Sequence, residues 1–155
     1  MNDLRELYQE VIMDHSRSPR NFRHPEDANR QAEGHNTSCG DRLMVYLKVS
    51  DGVVEDVAFE GSGCAISTAS ASLMTEILKG KTIAQAEELY HLFHDYLTTG
   101  RPGDHPEPPE AIGKLAVLGG VREFPIRVKC ATLSWHTMHA ALEQAEGTVS
   151  NEDTE

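Results

Sequence analysis

The fold is indicated most strongly by the stretch from Leu43 to Cys64, which reads LMVYLKVSDGVVEDVAFEGSGC. Its first seven residues alternate between two sets of side chains with the period of two that a half-buried β-strand shows. Asp51-Gly52 is a tight-turn dipeptide, and Val53 to Phe59 after it again has the composition of a strand. The stretch therefore predicts a β-hairpin, and Gly61 to Gly63 predict the end of its second strand.

Helices are predicted on both sides of this hairpin from the helical spacing of apolar residues. One helix spans about residues 3–15, and another follows Cys64 and ends at Gly80. A third follows the capping-box pattern of Thr82 and Gln85 and runs to about residue 98. The last helix is expected to begin around Arg127, which would place Cys130 in its first turn.

Other segments predict connections rather than regular structure. Residues 16–38 are polar and aperiodic, and residues 100–109 are rich in proline, glycine and charge. From Glu143 onward the chain carries five acidic residues and no lysine or arginine. We therefore expect a single domain of residues 1–145 followed by a disordered acidic tail at 146–155.

Length and composition fit one globular domain, because the chain has 155 residues, of which 39% are hydrophobic and 25% charged. The formal net charge of −11 disfavours a nucleic-acid partner, since neutralising phosphates needs a basic face. No stretch approaches the roughly 20 apolar residues of a membrane-spanning helix, and the start lacks a signal-peptide pattern. We expect a cytoplasmic protein without nucleic-acid or membrane partners.

The three cysteines need an explanation in a reducing compartment, where thiols stay unpaired unless they bind metal or react. Cys39 closes the long polar segment, while Cys64 and Cys130 lie at predicted helix N-termini, which favour thiolates. With Asp41 as a fourth ligand, they could form a tetrahedral zinc shell. Free cysteines are also common as small buried hydrophobic residues. Because the spacing contains no CxxC pair, both interpretations stay open.

Several separate motifs together resemble the IscU/SufU (NifU N-terminal-like) family of iron–sulfur cluster assembly proteins. They are LYQEVIMDH at 7–15 with PRN at 19–21, CGD at 39–41, GSGCAIS at 61–67 followed by ASAS at 69–72, and KC at 129–130. The resemblance covers nearly the whole chain except the acidic tail. It implies an α+β fold like that of SufE and IscU, with a small antiparallel sheet of about three strands packed on one side by helices. The implied metal ligands are Cys39, Asp41, Cys64 and Cys130.

Three features resemble the SufU branch of this family. Lys129 stands where scaffold-type IscU proteins have a histidine, residues 96–117 form an insertion that IscU proteins lack, and the Leu-Pro-Pro-Val-Lys peptide that engages the IscU chaperone is absent. The resemblance implies a zinc-dependent sulfurtransferase that accepts persulfide sulfur from a SufS-type, pyridoxal-phosphate-dependent cysteine desulfurase. Downstream iron–sulfur assembly proteins would receive the sulfur.

Two residues are assigned catalytic roles by this resemblance. Cys39 is the expected sulfur acceptor, because it lies on the most mobile of the three cysteine segments while the other two cysteines are anchored on helices. Arg127, one helical turn before Cys130, is expected to pair with Asp41 or with the partner enzyme. An exposed arginine is more often a solvated charge, so both interpretations of Arg127 stay open.

Two alternative functions remain at this stage. A scaffold would assemble a 2Fe–2S cluster on the same cysteines, since thiolate-rich sites suit iron as well as zinc, although Lys129 disfavours this function. A structural zinc module would only bind partners, and a desulfurase would leave its Cys39 unmodified. Two pairs of histidines at i, i+3 spacing are expected to be surface residues: His91 with His94, and His136 with His139.

Overall fold

Along the chain, one helix precedes three consecutive strands, and most of the remaining elements after them are helices. The structure, a computed structural model, describes residues 2–37, 39–99, 108–143 and 148–150. Its elements are helix α1 Asn2–Arg17, strands β1 Arg30–Asn36, β2 Asp41–Ser50 and β3 Val53–Ser62, helices α2 Ala65–Leu78 and α3 Ile83–Thr98, a 3-10 segment Glu110–Glu123, helix α4 Pro125–Leu142 and strand β4 Thr148–Ser150.

The sheet is built around the predicted hairpin, which the structure confirms. Strands β3, β2 and β1 lie side by side in that order and are antiparallel. Asp51 and Gly52 connect β2 to β3 with φ angles of 54° and 76°. Both values are left-handed, as a two-residue type I′ turn requires, and aspartate followed by glycine is a favoured pair for that geometry.

Strand β1 shows that the prediction of one irregular segment over 16–38 was wrong in its second half. The residues of β1 that face inward are Ala32, Gly34 and Asn36, none of which is a strong strand former. A side chain at Gly34 would collide with Thr137 of α4. Small inward residues therefore let α4 approach β1 closely, and the same small residues hide the strand from a search for apolar alternation.

Helix α4 lies at the centre of the molecule, packed against β1, β2 and α2. From Cys130 to Leu142, every residue except His139 is buried. A helix buried on all sides has no polar face, so the predicted single apolar stripe underestimates its burial. The helix begins at Pro125, before the predicted start at Arg127, and Cys130 therefore lies in its second turn rather than its first.

The other helices are close to their predicted bounds. At the start of α3, Gln85 N–H donates to Thr82 Oγ1 over 3.1 Å, and Thr82 N–H donates to Gln85 Oε1 over 3.0 Å. The predicted capping box is thus present. Among the described residues, no helix combines the length and the apolar character needed to cross a bilayer.

The C-terminal segment differs from the predicted disordered tail in one place. Strand β4, Thr148–Ser150, pairs in parallel with β1. An edge strand such as β1 exposes unpaired backbone groups, and an added strand satisfies them. The rest of the predicted tail, at 146–147 and 151–155, lies outside the described residues, as does 100–107 of the predicted insertion.

Candidate metal centre

The four predicted ligands lie where the β1–β2 turn, the end of β3 and the helix α4 meet. The ligand atoms of Cys39, Asp41 and Cys130 are all within 4.8 Å of one another. The Sγ atoms of Cys39 and Cys130 are 2.8 Å apart, and Cys64 contributes its backbone N–H to Asp41 Oδ1 over 2.8 Å. The structure therefore brings together residues that are separated by up to 91 positions in the chain.

Local structure explains this convergence. In the β2–β3 ladder Arg42 pairs with Ser62, so Asp41 lies opposite the residue that follows β3, Gly63. Helix α2 then approaches α4 through its small residues, and Ser70 Oγ donates a hydrogen bond of 2.6 Å to the carbonyl of Ala131. That contact holds the start of α2 beside the second turn of α4, where Cys130 lies.

Asp41 is a carboxylate with 0% exposure. It accepts hydrogen bonds from Cys64 N–H and, over 3.4 Å, from the side-chain amide of Asn36. No lysine or arginine in the described ranges forms an ion pair with it. A buried charge is costly unless it is paired or coordinates a metal. A bound cation would supply the missing positive charge.

Cys64 is the N-cap residue of α2, and its Sγ accepts the N–H of Ser67 over 3.4 Å. A hydrogen bond from Cys130 is the main cause that lowers the pKa of Cys64 to about 6, and the N–H of Ser67 adds to it. The expectation that a helix N-terminus favours this thiolate is consistent with that shift.

The pKa of Cys130 shifts in the direction opposite to the one expected for a thiol near the start of α4. Its hydrogen bond to Cys64 and its burial raise the pKa of the Cys130 thiol. Cys130 is only 1% exposed, and Phe124 at the N-cap of α4 provides no side-chain cap. Two adjacent thiols cannot both ionise cheaply, and the proton leaves first from the one that backbone N–H groups solvate.

Cys39 is the exposed member of the three cysteines, since Cys64 is half-buried and Cys130 is buried. It lies in the turn between β1 and β2. The next residue, Gly40, has a φ of 72°, and apart from its chain neighbours no atom of the described residues lies within 4 Å of where a side chain on it would begin. The Cys39 thiol is therefore on the open side of the site.

Arg127 and Lys129 both lie in α4, just before Cys130. Arg127 is exposed, and its guanidinium lies over the ring of Phe124, 4.8 Å from the centroid. Within the described ranges it forms no ion pair with Asp41. Lys129 is half-buried.

Asn36 is a site residue that sequence reasoning missed. It has 0% exposure, and its amide nitrogen lies 3.4 Å from Asp41 Oδ2 and 3.7 Å from Cys130 Sγ. It thus fixes two of the proposed ligands at once. Recognition of β1 as a strand would have placed Asn36 on its inward face, two residues after Gly34, and that alternation was the available signal.

The histidines predicted to be surface residues include one that is not. His136 is 7% exposed, and its Nδ1 lies 2.7 Å from the hydroxyl of Tyr90. Burial lowers the pKa of His136 to about 4. The ring of Tyr90 also stacks on His139 at 4.6 Å. The surface prediction is therefore wrong for His136.

The closely spaced donors are the sulfur atoms of Cys39 and Cys130 and a carboxylate oxygen of Asp41. The Sγ of Cys64, which interacts with Cys130, lies outside that group and is the proposed fourth donor. Thiolates are soft ligands that suit zinc or an iron–sulfur cluster, and three of them with one carboxylate complete a four-coordinate zinc shell. Together with a buried carboxylate that has no lysine or arginine partner in the described ranges, this donor set fits a zinc ion.

Comparison with known proteins places this site in context. The sequence profile of the family described as the NifU-like N-terminal domain matches residues 7–131. The zinc-dependent sulfurtransferase SufU of Bacillus subtilis is 40% identical over 141 residues, which are 91% of this chain and 92% of that protein. The iron–sulfur cluster assembly scaffold protein IscU of Thermotoga maritima is also 40% identical, over 89% of this chain and 94% of that protein.

A solved structure shows the same fold. It belongs to a candidate iron–sulfur cluster assembly scaffold protein of the SUF system from Fervidobacterium islandicum. The two chains superpose with a TM-score of 0.78 at 35% identity, covering 88% of this chain and 97% of that one. The α+β fold expected from the sequence is therefore confirmed.

Proposed function

This chain belongs to the family of NifU-like N-terminal domains, and we propose that it serves iron–sulfur cluster assembly as a zinc-dependent sulfurtransferase. Its relatives include a protein named as the zinc-dependent sulfurtransferase SufU and proteins named as IscU scaffolds of iron–sulfur cluster assembly. The proposed partner is a pyridoxal-phosphate-dependent cysteine desulfurase of the SufS type. We place the activity in the cytoplasm, where thiols stay reduced.

The exposure of the cysteines is the observation that carries the choice of acceptor. A persulfide held on another protein must come within bonding distance of the accepting sulfur. Cys39 is exposed, whereas Cys130 is 1% exposed and Cys64 caps a helix with its Sγ. Cys39 is therefore the thiol that the partner can reach, and the other two serve as anchors.

In the proposed transfer, the Cys39 thiolate attacks the outer sulfur of the desulfurase persulfide. One sulfur–sulfur bond forms at Cys39, and the bond in the desulfurase breaks, so that the desulfurase cysteine leaves as a thiolate. Cys39 becomes a persulfide, and no net oxidation or reduction occurs. Zinc, when bound by Cys39, Asp41, Cys64 and Cys130, would keep the thiols deprotonated. Asn36 orients Asp41 and Cys130 through its amide.

Arg127 has a contact role in this proposal rather than a role within the metal centre. Its guanidinium is exposed and lies over Phe124, which is itself 47% exposed, and Ile126 between them is 57% exposed. An exposed cation beside apolar side chains is a composition common at protein interfaces. Arg127 is thus proposed to contact the desulfurase.

The test combines metal analysis with persulfide mapping. The protein is purified aerobically, its metal is measured, and a desulfurase with cysteine is added before mass spectrometry of the cysteine peptides. We expect about one zinc at this centre and persulfide on Cys39. A Cys39→Ser variant should accept no sulfur, while Thr37→Ser, a conservative change on the same turn, should accept it normally. Stimulation of the desulfurase by a Cys39→Ala variant would remove Cys39 from the acceptor role.

An assembly scaffold is the second candidate function, favoured by thiol donors that suit iron as well as zinc and by the relatives that are named IscU scaffold proteins. Iron and sulfide in the purified protein, without zinc, would support it. Zinc that persists while Cys39 stays unmodified would instead support a structural zinc module.

A further inference from the structure

We propose a second zinc site, separate from the cysteine centre, on the contact between α3 and α4. Its donors are Glu87 and His91 on α3 and His139 and Glu143 at the end of α4. Each pair has i, i+4 spacing, which puts both members on one face of their helix. Because α3 packs against α4, the two pairs form one mixed group of imidazole nitrogens and carboxylate oxygens.

Three of these donors already lie at ligand separations. Atoms of Glu87, His139 and Glu143 are all within 4.8 Å of one another. His139 Nε2 and Glu143 Oε2 are 3.2 Å apart. Two ligands that each lie about 2.1 Å from one zinc ion are roughly 3.0–3.4 Å from each other, depending on the coordination angle. The pair therefore has the spacing of neighbouring ligands of one ion.

His91 is the fourth donor. Its ring centroid lies 6.2 Å from that of His139, at an interplanar angle of 64°. For both imidazoles to bind one ion, the ring of His91 must move closer to that of His139 by about 1 Å. His91 is exposed on α3, so a change of its side-chain rotamer can supply that movement. Two imidazoles with two carboxylates make a four-coordinate set that suits zinc.

The surroundings hold His139 in place for this role. Tyr90 stacks on its ring at 4.6 Å with an interplanar angle of only 8°. The Tyr90 hydroxyl is fixed in turn by His136 over 2.7 Å. His139 Nδ1 is buried and has no hydrogen-bond partner among the described residues, so Nε2, which faces Glu143, is the nitrogen assigned to the metal. The backbone N–H of Glu143 donates to the carbonyl of His139 over 3.1 Å, which fixes the two donors relative to each other.

A zinc ion at these residues would join the end of α4 to α3. The same helix carries Cys130 near its start, so both ends of α4 would be held by metal ligands. The site uses only nitrogen and oxygen donors, and this difference from the cysteine centre makes the two sites separable by spectroscopy.

The test is a zinc titration of the chelator-stripped full chain in competition with a chromophoric chelator. We expect two zinc ions per chain, the second bound more weakly. The Glu87→Gln/Glu143→Gln double variant should lose at least about 100-fold in affinity for the second ion, because changes merely beside metal ligands already cost about 10–100-fold. The exposed neighbour provides the matched control, Glu88→Gln, which should keep both ions. Wild-type protein that binds a single zinc, or a double variant that binds the second normally, would overturn the proposal.

Cobalt substitution gives a second readout that does not depend on activity. The first cobalt equivalent should produce the charge-transfer absorption of thiolate ligands, and the second should add only weak visible bands. In NMR spectra the second equivalent should shift the ring signals of His91 and His139. Shifts confined to other histidines, such as His24 and His35, would contradict the assignment.

Discussion

Replacement of Gly63 by alanine tests how tightly the carboxylate of Asp41 is held. The backbone of Gly63 does not have a positive φ, so alanine is conformationally allowed and the effect is steric. The added Cβ would lie 2.8 Å from Asp41 Oδ1 and 3.2 Å from its Cγ. Oδ1 is also the acceptor for Cys64 N–H, so the carboxylate cannot move away without weakening that hydrogen bond.

The magnitude follows from these contacts. Overpacking a buried site costs about 1–3 kcal/mol, and loss of a hydrogen bond to a charged group costs about the same. The two are alternative ways of relieving one clash, so we expect a total of about 1–3 kcal/mol. For a domain of this size, that corresponds to a fall in Tm of about 2–12 °C in the metal-free protein. Displacement of a ligand should also lower zinc affinity by about 10–100-fold.

The assay compares thermal unfolding and zinc competition for Gly63→Ala and for a control, Gly120→Ala. Apart from its chain neighbours, no described atom lies within 4 Å of a Cβ added at Gly120. The control should therefore be neutral or slightly stabilised, because alanine restricts the unfolded chain. If Gly63→Ala matches the control in Tm and binds zinc as the wild type does, Asp41 is not locked in the described position.

Three further predictions concern ionisation and capping. Cys64 has a pKa of about 6, so in metal-free protein iodoacetamide should alkylate it at neutral pH while Cys130 stays unmodified. Peptide mass spectra that show equal alkylation rates for the two cysteines would contradict this. The pKa of His136 is lowered to about 4 in the folded protein, whereas an unfolded histidine has a pKa near 6.5. As the pH falls, the imidazole therefore takes up a proton in the unfolded state before it does so in the folded state. The free energy of unfolding should thus fall by up to about 3 kcal/mol between pH 6.5 and 4, and urea titrations should show a smaller fall for His136→Gln; an equal fall would exclude this origin. Thr82→Ala removes the acceptor for Gln85 N–H and should cost about 1 kcal/mol, seen as a lower urea midpoint with unchanged slope.

Much of the fold could be predicted from local signals. Asp51-Gly52 between two strand-like runs specifies its own turn, because few other residue pairs accept two left-handed conformations in succession. The capping box at Thr82 likewise uses groups three residues apart. Strand β1 could not be predicted in this way, since Gly34 and Asn36 are placed inward by their fit against α4 rather than by hydrophobicity.

The sequence by itself determined the hairpin, the helices and, through motifs that resemble a known family, the four proposed metal ligands. Only the tertiary structure decided how those ligands differ. Cys64 and Cys130 both lie near the starts of helices in the sequence, yet their pKa values move in opposite directions. The reason is physical: burial, the distance between two thiols and the N–H groups around each depend on packing between elements far apart in the chain.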